Sequence, residues 1–185
     1  MTCFHLHSDR LLLRPPEAGD VPFIVPLADD YDVAKNLSTM PHPYCEADAQ
    51  SWIARVSGED QATGKNFVFA ITRKPDGGFI GACGLHLRGN GLFEFGYWLG
   101  KPFWGRGYAT EAARRLVAFA FKELKAERVW AGWFHDNPAS GRVLAKLGCK
   151  PDGRDQRSCL ARGHDVLCNL VILSREDFFD RRSVA

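Results

Sequence analysis

Apolar residues in this chain follow two different periods, and the period changes near residue 66. Ahead of that point, Leu11–Arg14 reads as a short apolar strand that Pro15-Pro16 ends. Residues 17–30 are apolar at helical spacing but contain Pro22 and Pro26, which predicts short, broken helices. Pro41-His42-Pro43 reads as a loop. Glu46–Val56 reads as a helix with Ala49, Trp52, Ile53 and Val56 on one face. From residue 66 the pattern is that of strands. Asn66–Arg73, Phe79–Leu87 and residues 92–99 are rich in apolar and aromatic residues. The turn strings Pro75-Asp76-Gly77-Gly78 and Gly89-Asn90-Gly91 separate them, which predicts an antiparallel meander.

Helix and strand alternate after the meander. Residues 108–124 form a long helical pattern with Ala112, Leu116, Phe119 and Ala120 on one side. Residues 128–135 read as a strand. Pro138–Leu147 reads as a helix, with Asn137 as N-cap and Gly148 as its stop. Residues 166–173 are a long apolar strand, and Ser174-x-x-Asp177 suits the cap of a short final helix. This order predicts an α/β (α+β) fold: a mixed sheet with helices on its faces.

Composition narrows the classes. A length of 185 residues fits a single domain over 1–185, and 45% apolar residues support a packed core. A net charge of +2 gives no electrostatic reason to expect nucleic acid or an anionic membrane surface. The six cysteines contain no Cys-x-x-Cys pair, so zinc and dithiol redox chemistry lack their spacing. Reduced thiols in the cytosol are expected. His5-x-His7 offers two ligands and no third, so no metal is expected, and that stretch reads as a disordered terminus. There is no signal-peptide pattern and no apolar run of 18 residues, so the expected location is cytoplasmic, with no membrane contact.

The segment with chemistry in it is Trp104-Gly105-Arg106-Gly107-Tyr108-Ala109-Thr110-Glu111. It follows a strand and opens the long helix. Glycines without Cβ let a ligand approach the backbone. The first helical turn has N–H groups without intrahelical partners, and the helix dipole favours an anion there. The pattern predicts a phosphate site. It is not a P-loop, because no Gly-x4-Gly-Lys-Ser/Thr string occurs. It departs from the dinucleotide fingerprint, because Thr110 stands at the third glycine and a meander precedes the turn.

Gly96-Tyr97-Trp98-Leu99 followed by Phe103-Trp104-Gly105-Arg106-Gly107-Tyr108-Ala109-Thr110-Glu111-Ala112 resembles the GCN5-related N-acetyltransferase (GNAT) superfamily. More closely it resembles the ribosomal-protein N-terminal acetyltransferase (RimJ/RimL-like) branch. Arg10-Leu11-x-Leu13-Arg14-Pro15, Asn137-x-x-Ser140 and Leu147-Gly148 match in the right order, so nearly the whole chain is covered. The resemblance implies a mixed, mostly antiparallel sheet of six or seven strands with a central splay and helices on both faces. It implies acetyl-CoA as cosubstrate, its pyrophosphate on the backbone of Gly105, Arg106, Gly107, Tyr108, Ala109 and Thr110. Asn137 and Ser140 match positions near the pantetheine and thiol. Pro102 stands where the superfamily often has Gln or Arg, and that contact is lost. A homodimer is common among such proteins.

What the resemblance implies for mechanism is direct attack by an amine in a ternary complex. The backbone N–H of Leu99 or its neighbour is the expected oxyanion donor. Glu94 is the first candidate for the base, His135 the second, and a water chain the third. Ser140 is the expected donor to the departing sulfur. His42 lies on a loop that the family uses near the acceptor. The expected acceptor is a protein N-terminal α-amine. A small amine such as an antibiotic or polyamine is the alternative, and a coenzyme A sensor with little turnover is the rival outside enzymology.

Overall fold

The computed structural model describes residues 4–56, 64–89 and 91–180. Its strands are β1 (Leu6–His7), β2 (Leu11–Arg14), β3 (Asn66–Arg73), β4 (Phe79–Leu87), β5 (Phe93–Leu99), β6 (Arg128–Phe134), β7 (Lys150–Cys159) and β8 (His164–Ser174). They form one eight-stranded sheet in the order β1-β2-β3-β4-β5-β6-β8-β7. The helices are α1 (Val21–Ala28), α2 (Tyr31–Ala34), α3 (Glu46–Val56), α4 (Tyr108–Lys122), α5 (Pro138–Leu147) and α6 (Arg175–Asp180). Pro22 lies in the first turn of α1 and Pro26 inside it, and α1 ends at Ala28, as broken helices require. Ser174 caps α6 by accepting from Asp177 N–H at 3.1 Å. The turn predicted at Gly89-Asn90-Gly91 contains Asn90, which lies outside the described residues.

The sheet exceeds the expected six or seven strands because of its two ends. His5-x-His7 is not a loose terminus: Leu6 is buried and pairs with Leu13, His7 with Leu12. A strand of two residues is too short to show a period. The other addition, β7, is exposed along nearly all its length and irregular between Pro151 and Arg154. Its proline, irregularity and charges suit an edge strand, and they hide it from a search for alternation.

Helices cover both faces of the sheet. On one side α4 buries Leu116, Val117, Phe119 and Ala120 against Phe67, Phe69, Phe93 and Phe95. Phe119 meets Phe67 and Phe69 edge-on at 5.5 and 5.9 Å. Burying each such ring contributes about 1.5–3 kcal/mol relative to leaving it in water. On the other side α1 and α3 bring Val21, Ile24, Ala28, Ala49 and Ile53 onto Ala70 and Phe79.

Among the described residues β5 and β6 are the parallel neighbours, and they pair only at Phe93 with Val129 and Glu94 with Trp130. Beyond Glu94, β5 stays paired with β4 and β6 with β8. The two central strands therefore splay apart toward Leu99 and Phe134. The chain leaves β5 at the mouth of this splay, turns, and enters α4 there.

Candidate active site

Gly105 and Gly107 both have positive φ, +72° and +80°, in the turn before α4. That region is disfavoured for residues with a Cβ, so the glycines are needed for the path of the chain. Gly107 is the N-cap of α4 and supplies no side chain to cap it. The first intrahelical bond runs from Glu111 N–H to the Gly107 carbonyl at 3.1 Å. The N–H groups of Tyr108, Ala109 and Thr110 thus precede the helical ladder and point out of the helix end. Trp104, Gly105, Arg106 and Gly107 are exposed. The result is an open cradle of donors at the positive end of a helix.

Arg10 braces this cradle. Its Nη1 donates to the Arg106 carbonyl at 3.0 Å, its Nε donates to Glu111 at 2.7 Å, and its guanidinium lies 4.5 Å over the Tyr108 ring. Glu111 also accepts from Ser8 at 2.8 Å. Burial acts to raise the Glu111 pKa, but the hydrogen bonds from Arg10 and Ser8 outweigh it, and the carboxyl sits below its ordinary value.

The β4–β5 ladder decides which backbone groups face the splay. Gly100 N–H donates to the Ile80 carbonyl at 2.9 Å, so Gly100, Trp98 and Gly96 turn their polar groups toward β4. Phe95, Tyr97 and Leu99 then turn theirs toward the splay. Leu99 bears this out, since its carbonyl accepts from the Trp104 indole at 2.7 Å instead of from β4.

Across the splay stands the start of α5. Asn137 caps it, accepting from Ser140 N–H at 3.2 Å. The Ser140 hydroxyl lies 2.9 Å from the Tyr97 hydroxyl. Burial pushes the Tyr97 phenol up to about 12, so it stays protonated at neutral pH.

The side chains of β5 alternate. Phe93, Phe95, Tyr97 and Leu99 face α4, while Trp98 joins the α1–α3 cluster. Glu94 and Gly96 share the Trp98 side. Gly96 is exposed in the middle of a central strand, and a Cβ built on it would meet no heavy atom within 4 Å. It forms the floor of a cleft. Glu94 stands at the root of the splay, buried, with Oε1 accepting from Arg157 at 2.6 Å and Oε2 from Arg88 at 2.6 Å. The β7–β8 hairpin borders this side. Its tip is tied to the segment after α2 by Leu160 N–H to the Ser38 carbonyl, 3.1 Å, and Arg162 Nε to the Lys35 carbonyl, 2.7 Å.

A protein-family model described as acetyltransferase (GNAT) domain matches residues 10–150. The chain belongs to the GNAT acetyltransferase family. It is 29% identical over 175 residues to the uncharacterized N-acetyltransferase p20 of Bacillus licheniformis, covering 92% of this chain and 97% of that one. It is similar in fold to Mycobacterium smegmatis RimJ in complex with CoA-disulfide, with a TM-score of 0.80 and 21% identity, covering 94% of this chain and 87% of that chain. It is also similar to RimL, a ribosomal L7/L12 alpha-N-protein acetyltransferase in complex with coenzyme A, with a TM-score of 0.81 and 17% identity over 92% of this chain and 98% of that chain. This GNAT protein is thus an N-acetyltransferase by family.

The residues singled out in its sequence fall into two groups. Leu99, Gly105, Arg106, Gly107, Tyr108, Ala109, Thr110, Asn137 and Ser140 line the mouth and one wall of the splay. Glu94 lies apart at the root, its two oxygens occupied by guanidinium groups. His135 is exposed at the open end, with its backbone N–H on the Leu167 carbonyl. His42 sits 3.4 Å from Asp29 and stacks obliquely on Tyr31. Sequence reasoning missed the roles of Arg10 and Glu111, the hydroxyl pair of Tyr97, the open space over Gly96, and both arginines on Glu94. Arg10, Glu111 and Gly96 lay inside the quoted motifs, which was signal enough to ask. Arg157 lay in a polar stretch that offered none.

Proposed function

We propose that this protein is an acetyl-CoA-dependent N-acetyltransferase that modifies a primary amine, with a protein N-terminal α-amine as the preferred acceptor, by direct attack in a ternary complex. The observation that carries it is the cradle at Gly105–Thr110 opening directly onto the splay. Acetyl-CoA, when bound, supplies an activated thioester. The N–H groups of Tyr108, Ala109 and Thr110 hold the pyrophosphate. The Leu99 N–H, beside the turn, bonds the pantetheine. We assign the oxyanion contact to the Tyr97 N–H, one inward-facing position deeper, because Tyr97 and Ser140 stand side by side. With Tyr97 as the donor of this hydroxyl pair, the Ser140 proton is free to point at the departing sulfur.

The acceptor half rests on charge and amine chemistry. An α-amine with a reference pKa near 8 is about one-tenth neutral at pH 7, whereas a lysine is neutral about once in 2,500 molecules. An α-amine therefore needs no strong base. Both Glu94 oxygens are committed to arginines, and a substrate proton would have to displace one of them. Water in the open cleft takes the proton in this reading. Two arginines around one carboxylate also repel a polycation, which argues against polyamines. The likeness in fold to RimJ and RimL agrees with a peptide acceptor. The test is thiol release from acetyl-CoA with a panel of peptide N-termini, a lysine side-chain amine, spermidine and an aminoglycoside. The peptides should give the highest kcat/KM. A preference for spermidine or the aminoglycoside would overturn the acceptor assignment.

A further inference from the structure

On the face of β5 that is open over Gly96 lies a charged corner that the acetyl-transfer chemistry does not use. Arg88, Leu92, Glu94, Trp130 and Arg157 line an open cavity of about 410 Å³ there. Glu94 is the single anion of this group, against two cations. Arg157 spends its Nη1 on Glu94 and lies 4.6 Å over the Trp130 ring, which fixes the plane of its guanidinium. Arg88 reaches Glu94 through Nε and Nη2 at 2.6 and 2.5 Å, with its side chain 57% exposed. A guanidinium has five N–H donors, so Glu94 cannot absorb all ten. Among the described residues neither arginine has a second carboxylate partner. The corner is therefore a partly desolvated site with positive charge to spare and a pre-set planar donor fork.

Its distance from the reacting end is short. Glu94 and Gly96 lie on the same face of β5 two residues apart, about 7 Å. An amine delivered over Gly96 toward the Tyr97 N–H has this corner within a few bond lengths. We propose that the cleft recognises a carboxylate on the acceptor, held by Arg157 and Arg88 within about 7 Å of the amine that is acetylated. The acceptor class is an α-amino acid or a peptide with an acidic residue next to its N-terminus. This rests on the N-acetyltransferase reading above and adds the feature of the acceptor that the protein selects.

Two matched pairs test it and separate the two sources of carboxylate. One pair is serine and serinamide. The other is two pentapeptides identical except for Glu or Gln at the second position. The amide of the first pair has the lower amine pKa, so chemistry alone favours the neutral member. In at least one pair the carboxylate member should be turned over with kcat/KM about tenfold higher or more, and that pair names the source. In Arg157→Gln, and separately in Arg88→Gln, that ratio should fall toward one while KM for acetyl-CoA stays as in the wild type. Ratios of one or below in both wild-type pairs overturn the proposal, as does a preference that survives both substitutions. If none of the four amines is turned over, the α-amine acceptor reading itself fails. The carboxylate site is then judged by calorimetric binding of the same four compounds to the coenzyme A-loaded protein, and equal affinity within each pair overturns it.

Discussion

Arg10 and Glu111 are joined twice across 101 residues: the Arg10 backbone N–H and its Nε both donate to the Glu111 carboxylate, at 2.8 and 2.7 Å. This pins β2 to the first turn of α4 and steadies the donors of Tyr108 to Thr110. Hydrogen bonds to a charged group contribute about 1.5–3 kcal/mol each, so Glu111→Gln should lower stability by about 1–3 kcal/mol. It should also raise KM for acetyl-CoA several-fold. The Glu111 pKa is depressed below the ordinary 4.5, so its contribution is present above that pH and is lost as pH falls through the folded value. Thermal melts from pH 7 down to pH 3 should show a smaller acid loss in Glu111→Gln than in the wild type. Equal slopes would contradict the brace.

Gly107 separates charge from shape. Asp and Asn both tolerate positive φ better than most residues and have the same outline. At this position Asp alone puts a negative charge against the proposed pyrophosphate site. Like charges about 4 Å apart repel by about 4 kcal/mol at an effective dielectric of 20, or roughly 10³-fold in affinity. Gly107→Asp should therefore bind coenzyme A far more weakly than Gly107→Asn in isothermal titration. Similar affinities for the two variants would move the phosphate site elsewhere.

The elements visible in the sequence are those whose period survives in the fold. Glu46–Val56, Asn66–Arg73, Phe79–Leu87 and Pro138–Leu147 occur with the bounds that periodicity and caps predict, because each buries one face or both. β7 buries almost nothing and is held by backbone pairing to β8, so no pattern marks it. The same limit applies to the site. The Gly105–Thr110 cradle is local in sequence and legible. The cavity corner joins Arg88 and Glu94 to Trp130 and Arg157 from three separate strands and a turn, and only the three-dimensional register brings them together. An aromatic in a central strand is usually core, so nothing in the period of β5 marks the Tyr97 hydroxyl. Its hydroxyl found Ser140 only because the strands splay.

The Tyr97–Ser140 pair predicts graded rate losses. Ser140→Ala removes the proposed donor to sulfur and should lower kcat by about 10²-fold. Tyr97→Phe removes only the hydrogen bond that orients Ser140 and should cost about tenfold. KM for acetyl-CoA should change little in either. Burial raises both Tyr97 and Tyr44 to about 12, so both phenols should resist ionisation as pH rises from 10. Following phenolate absorbance, Tyr97→Phe should lose one such delayed group. An unchanged delayed class would mean that Tyr97 is not buried in solution.

Glu94→Gln tests what the buried carboxylate does. With both oxygens on arginines, Glu94 acts as an anchor for them. The pH profile of kcat/KM should keep its shape in Glu94→Gln, and preference for a carboxylate-bearing acceptor should widen as the guanidinium donors are released. Loss of the acid limb of that profile would restore Glu94 as the base.

Gly96 offers a test in which misfolding is not the competing explanation. Glycine inside a strand weakens it through backbone entropy and missing side-chain packing. Its φ is not in the positive region, and its Cβ position is empty space, so neither conformation nor packing requires glycine here. Gly96→Ala and Gly96→Val should therefore leave melting temperature unchanged or raise it, with valine the better strand former. The backbone groups of residue 96 point to β4, so coenzyme A affinity should be preserved. Acceptor access should not be. Each added methyl fills the space beside the proposed path of the attacking amine, and KM for the acceptor should rise from glycine to alanine to valine, with kcat falling as the amine is held off line. A stable Gly96→Val protein that binds coenzyme A and acetylates at the wild-type rate would show that the amine approaches from another side of the sheet. A stable variant that binds coenzyme A yet fails with every acceptor would mark this face of β5 as the amine's route, because no loss of fold would be available to explain it.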